Sequence, residues 1–260
     1  MTAETVDEID QSRAPLLDHL IELRRRLIYC AVAVALAFGV CFYFSDIIFG
    51  FLLQPLLRAG QNRVVYTQLF EAFFVQIKVA FFAATMVSFP VIANQLWQFV
   101  APGLYRQEKR ALLPFLLATP VLFTLGAAMA YYIAVPMALH FLLGFQGSIG
   151  GVEREALPAI DNYLSFIMQF LFGFGLSFLL PVLLMLLERA GIVTRQQLIS
   201  ARRYAIVAAV GIAAVLTPPD IGSQLLLAIP LIILYEIAII GIWITEKRRK
   251  PTPVADATVP

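Results

Sequence analysis

The chain has 260 residues, of which 60% are hydrophobic and 14% charged, with a formal net charge of +2. A soluble domain is nearer 45–50% apolar and about 25% charged, so this composition excludes an ordinary soluble enzyme. The small net charge gives no ground for nucleic-acid binding, and the solvent to reason in is a lipid bilayer.

Uncharged runs of roughly 20 residues suffice for a helix to cross the hydrocarbon core. The first, Leu27–Phe44, follows Arg24-Arg25-Arg26 and is long for the apolar part of a cleaved signal peptide, so it reads as a retained helix. Cys30 and Cys41 lie about 16 Å apart along it, too far for a disulfide, and read as small apolar residues. The next windows are Val79–Tyr105, Ala111–Val152 and Asn162–Leu187. The middle one is too long for one crossing and carries Pro114, Pro120 and Pro136, so it is expected to tilt, kink and continue past the bilayer. Tyr204–Leu216 and Leu225–Ile244 close the series, the latter interrupted by Glu236. The fold class is therefore an all-α polytopic membrane protein with six transmembrane helices. Spans are predicted near 27–45, 76–99, 111–141, 162–187, 204–216 and 225–244, in one domain over 1–250. The segments 1–13 and 251–260 are short, polar and expected to be disordered. The fifth span would reach only about 20 Å against roughly 30 Å of hydrocarbon, which favours a locally thinned bilayer.

Lysine and arginine set the orientation. With six spans, both termini and the 2–3 and 4–5 connections share a side, and that side holds 15 of the 19 cations. Arg58, Arg63 and Arg154 lie opposite, with Lys78 near a span end. Both termini are predicted to be cytoplasmic.

Candidate chemistry is sparse. Gly175-x-Ser177 with His140 could suggest an intramembrane serine protease, but His140 has no evident orienting carboxylate, and small residues serve close helix packing. His19 and His140 are the two histidines, no Cys/His cluster is present, and no phosphate-binding glycine motif occurs, so no metal or cofactor is expected. A proton-coupled secondary transporter of a small solute is the alternative function, with Glu236 mid-span as its ionisable group. Against it, the two halves share no repeated pattern, and the charges gather at the cytoplasmic face. Lys78 reads as a snorkelling cation and Glu236 as a group paired within the bundle.

Between spans two and three, Glu108 stands among Arg106, Lys109 and Arg110. On the residues alone it is neutralised by these neighbours in a solvated loop. Three motifs change that reading. They are Asp18-His19-Leu20-Ile21-Glu22-Leu23-Arg24-Arg25-Arg26; Phe99-Val100-Ala101-Pro102-Gly103-Leu104-Tyr105 with Glu108 and Arg110; and Leu216-Thr217-Pro218-Pro219-Asp220 with Ser223-Gln224 and Ala228-Ile229-Pro230. In this order and spacing, from about Pro15 to Trp243, the chain closely resembles the TatC family, the core membrane subunit of the twin-arginine protein translocase.

The resemblance implies a concave, glove-like bundle in the bacterial cytoplasmic membrane that is not an enzyme. It would receive the Arg-Arg signal peptides of folded cargo, use the proton-motive force, and assemble with TatA- and TatB-type single-span subunits and further copies of itself. Glu22 and Glu108 match the family's binding acids, and a carboxylate meets a guanidinium through two parallel hydrogen bonds that lysine cannot copy. Arg24, Arg110, Phe99 and Tyr105 complete the expected signal-peptide site, the cations also facing anionic headgroups. Pro55 and the turn holding Pro218 and Asp220, with Gln224 just beyond, belong to the periplasmic rim or partner surface. One departure concerns span four, where the family commonly has Glu or Gln and this chain has Leu179 in Ser177-Phe178-Leu179-Leu180-Pro181. Gln169 and Ser177 are the nearest polar groups, and neither is a like-for-like replacement.

Overall fold

The computed structural model describes residues 3–104, 109–149, 152–154, 157–189, 191–217 and 221–248, with side chains within 20–99, 116–147, 157–189, 191–217 and 221–246. Their regular structure is helical apart from one short hairpin, and it groups into two compact units, residues 1–177 and 178–260, where the sequence reading drew one domain.

Unit one holds α1 (Ala3–Tyr43), α2 (Ser45–Arg58), α3 (Glu71–Leu104), α4 (Lys109–Met129), a π turn (Ala130–Ala134), α5 (Val135–Leu143), the hairpin β1–β2 (Gly147–Ile149, Val152–Arg154) and α6 (Ile160–Ser177). Residues 3–13, expected to be disordered, instead open α1. α1 packs along α3 and α4 along α6. Small residues make the α1–α3 approach close: Ala80 and Ala84 meet Cys41, flanked by Ala37 and Ala83. Neither cysteine is in a disulfide. Gly175 has the same function on α6, since a Cβ there would lie 2.7 Å from the Phe123 ring, which is itself stacked on Phe89. That is the packing role foreseen for Gly175 in place of a catalytic one.

Prolines explain the irregular points. Pro136 has no N–H for the carbonyl four residues back, and the π turn lies directly before it. In α2, Pro55 likewise leaves the Phe51 carbonyl without its helical donor. The Tyr131 hydroxyl, carried by the π turn, donates to that carbonyl at 2.7 Å. Tyr163 on α6 donates to the neighbouring Leu52 carbonyl, also at 2.7 Å. Pro55 is thus buried and braced by two tyrosines. The long third window is accordingly interrupted by the π turn before Pro136, and its helix stops at Leu143, its end forming the hairpin.

Loop 59–70 is stitched to the start of α6: Ile160 N–H donates to the Val65 carbonyl and Val65 N–H to the Pro158 carbonyl. Buried Glu71 fastens the same place. Its carboxylate accepts Thr67 N–H at 2.5 Å, Gln68 N–H at 3.0 Å and Asp161 N–H at 3.2 Å, so it serves the first turn of α6 from the first turn of α3. Lys78 is not a lone snorkelling cation, because it pairs with Asp161 and donates to Ser165 at 3.2 Å, tying α3 to α6.

Unit two holds α7 (Leu180–Arg189), α8 (Arg195–Ser200), α9 (Arg202–Leu216) and α10 (Ile221–Arg248). α7 ends in a left-handed Gly191 (φ 72°), with Ile192 N–H reaching back to the Leu187 carbonyl and Gly191 N–H to that of Glu188. Thr194 and Gln197 then cap α8 reciprocally. Leu198, Tyr235, Ile239 and Ile242 form one buried cluster of this unit, and Tyr235 donates to the Leu198 carbonyl at 2.7 Å.

Of the six expected spans, five are helical segments long and apolar enough to cross a bilayer: Leu20–Tyr43, Glu71–Phe99, Leu116–Leu143, Ile160–Arg189 and Ile221–Glu246. The remaining one, α9, has 15 residues and rises about 22 Å, short in the way the sequence predicts. Span four is not continuous helix. Pro181 cannot donate to the carbonyl of Ser177, and a turn at Phe178–Leu179 separates α6 from α7.

Candidate signal-peptide site

Glu22 and Arg26 stand one turn apart on α1 and therefore share a face, with the acid N-terminal to the cation, the more favourable order. Arg26 Nε donates to Glu22 Oε1 at 2.9 Å and Nη2 to the same oxygen at 2.5 Å. That face meets the far end of α3, where Gln95 and Gln98 project at i,i+3 spacing. Arg26 Nη1 donates to Gln98 Oε1 at 2.8 Å and to Gln95 Oε1 at 3.3 Å. Gln98 is oriented in turn by donating to Asn94 Oδ1 at 2.9 Å.

These groups bound an open cavity of about 460 Å³, within the usual range of ligand pockets. Ile21, Glu22, Arg25, Arg26 and Tyr29 line it from α1, and Gln95 and Gln98 from α3. Arg25 turns aside to Tyr29, its Nε donating to the hydroxyl at 3.1 Å with the guanidinium 5.6 Å from the ring centroid. The cavity thus offers a half-exposed carboxylate, amide oxygens and an aromatic wall, a set suited to a cationic, bidentate guest.

Of the residues expected here, Glu22 lines the cavity, Arg24 is exposed and lines no part of it, and Phe99 is half-buried on α3 beside Gln98. Tyr105 and Glu108 lie outside the described residues, as does the side chain of Arg110. Sequence reading missed Arg26 as a site residue, and it missed Gln95 and Gln98. The signal was available in Glu22-x-x-x-Arg26 and Gln95-x-x-Gln98, spacings that put each pair on one helix face.

The remaining expected positions are dispersed. Pro55 sits in α2 as described. Gln169 is exposed on α6, and Leu179 lies in the turn before α7, half-buried, its carbonyl accepting Leu183 N–H at 3.0 Å. Gln224 Nε2 donates to the Val210 carbonyl at 3.4 Å, joining α10 to α9. Glu236 is paired, as expected, with Arg202 Nη2 2.8 Å from its Oε2. Pro218 and Asp220 lie outside the described residues. Among the described residues no group of three His, Cys, Asp or Glu could hold a metal ion.

Fold and site together define a multi-pass helical membrane protein with a polar cavity between the middle of α1 and the last turns of α3. Residues 18–230 match the family model for the Sec-independent protein translocase protein TatC. The Sec-independent protein translocase protein TatC of Magnetococcus marinus is 46% identical over 250 residues, 95% of this chain and 91% of that protein. The Aquifex aeolicus protein of the same name is 40% identical over 240 residues, 91% and 98% of the two chains. A crystal structure of the twin-arginine translocase receptor TatC superposes with a TM-score of 0.75 at 39% identity, covering 88% of this chain and 99% of that one. The chain belongs to the TatC family. It is a component of the Sec-independent, twin-arginine translocation system in the bacterial inner membrane, with other subunits of that system as its partners, and it is not an enzyme.

Proposed function

We propose that the cavity between α1 and α3 receives the twin-arginine motif of a cargo signal peptide, with the Glu22 carboxylate pairing one guanidinium. The observation that carries this reading is a half-exposed carboxylate in a cavity that Gln95, Gln98 and Tyr29 also line, acceptors for the donors an arginine brings, beside the two cations Arg25 and Arg26. Glu108 is the second acid. Phe99 and Tyr105 provide the apolar wall for the peptide's hydrophobic stretch, while Arg24 and Arg110 hold the flanks. Both termini and this cavity face the cytoplasm, following the cation bias. TatA- and TatB-type single-span subunits dock on the membrane helices, and the chain assembles with copies of itself, with the proton-motive force driving transport. With Leu179 at the span-four position, apolar packing dominates partner docking, since a buried polar side chain contributes only about 0.6–2 kcal/mol to helix association in a membrane. Pro55, Pro218, Asp220 and Gln224 shape the opposite rim, and Gln169 stays lipid-facing.

The test is the affinity of an Arg-Arg signal peptide and its Lys-Lys counterpart for the full chain in nanodiscs. Arg-Arg should bind more than tenfold tighter. Equal affinity would remove the receptor reading of this cavity.

A further inference from the structure

We infer that Arg26 is an internal competitor for the arginine site: its guanidinium occupies Glu22 until a guest guanidinium displaces it. This rests on the reading that the cavity receives an Arg-Arg peptide, and it adds a regulated, self-occupied resting state to that reading.

Two Arg26 nitrogens converge on Glu22 Oε1, one of the two carboxylate oxygens an incoming arginine would use, while a third is held by Gln98 and Gln95 from the neighbouring helix. Arg26 is the better shielded partner, its side chain 19% exposed against 35% for Glu22. Its neighbours do not share the role, since Arg25 is turned to Tyr29 and Arg24 is exposed. Because acid and cation sit one turn apart on one helix, the pair forms without ordering any loop. Such a pair is also weak. A partly exposed pair of this kind is worth no more than about fivefold in an equilibrium, enough to keep the carboxylate occupied and orientated in the empty receptor and weak enough to be exchanged. The two glutamines give the displaced guanidinium nearby acceptors, so it need not be left without partners during the exchange.

Arginine and lysine substitutions separate competition from simple charge repulsion. A fluorescent peptide carrying Arg-Arg and an apolar stretch is titrated against the full chain in zwitterionic nanodiscs at fixed salt. Arg26→Gln should tighten binding about two- to fivefold, the strength of the pair it removes. Arg26→Lys, which keeps the charge and loses the fork, should give a smaller gain. Equal gains from Arg25→Gln and Arg26→Gln would reduce the effect to net charge and overturn the inference. So would unchanged or weaker binding in Arg26→Gln when Glu22→Gln still loses more than tenfold, and in that case the receptor reading stands. Unchanged binding in Glu22→Gln overturns the receptor reading itself, and the competitor with it.

Discussion

Two carboxylates of unit one, Glu22 on α1 and Glu71 at the start of α3, are held in opposite ways. Glu71 is 8% exposed and accepts N–H groups from Thr67 and Gln68 and from Asp161, ninety residues along the chain. Glu22 is half-exposed and is bonded to Arg26 one turn away on its own helix. Removing Glu71 takes the acceptor from three backbone donors on two other segments, whereas opening the Glu22 pair disturbs only one helix face. Burial and long-range bonding make an acid part of the fold, and exposure and local bonding leave it exchangeable for a guest. The proposed recognition surface uses the second kind.

The strongest way to break this contrast is Glu71→Ala. With the Thr67, Gln68 and Asp161 N–H groups left without their acceptor, we expect a clear drop in Tm in detergent micelles, larger than that of any other substitution considered. An unchanged Tm would mean that burial does not distinguish the two acids. Glu22→Gln should do the converse, leaving Tm in place while Arg-Arg peptide affinity falls more than tenfold, or about 1.5–3 kcal/mol for a charge-assisted pair. A Tm loss comparable with that of Glu71→Ala would assign Glu22 to the scaffold. Tyr131→Phe removes the donor that compensates Pro55 and should cost about 1–2 kcal/mol, with exposed Tyr132→Phe as the neutral comparison. Lys78→Gln sharpens the contrast most finely, because the Lys78–Asp161 pair is long-range yet about 40% exposed, 41% on one side and 39% on the other. We expect less than about 1 kcal/mol on unfolding, the ordinary value of an exposed pair. A cost as large as that of Glu71→Ala would show that sequence separation, not burial, decides which charges hold the fold.

Much of the architecture was legible in the residues. Apolar runs and the cation bias need no tertiary information, since span length is set by bilayer thickness and orientation by local charge. Proline positions announced the irregular helices, the short fifth span was identified by its length, and Glu22 was singled out by the resemblance of its motif to the family's. The site was legible only in part. Arg26 read as one more topogenic cation, Gln95 and Gln98 as unremarkable polar positions, and Lys78 as a snorkelling side chain.

Those four residues take their meaning from partners 69 to 87 positions away, on helices that the pattern places but does not register against one another. Composition and periodicity determined that this chain spans a membrane, roughly where it does so, and which face of the membrane carries its charge, because each of these is a property of one segment in its solvent. Which carbonyl a tyrosine caps, which helix start Glu71 fastens, and which cation occupies Glu22 were decided by the packing of α1, α2, α3 and α6. A hydrogen bond depends on distances below about 3.5 Å, and only the tertiary structure sets those across helices.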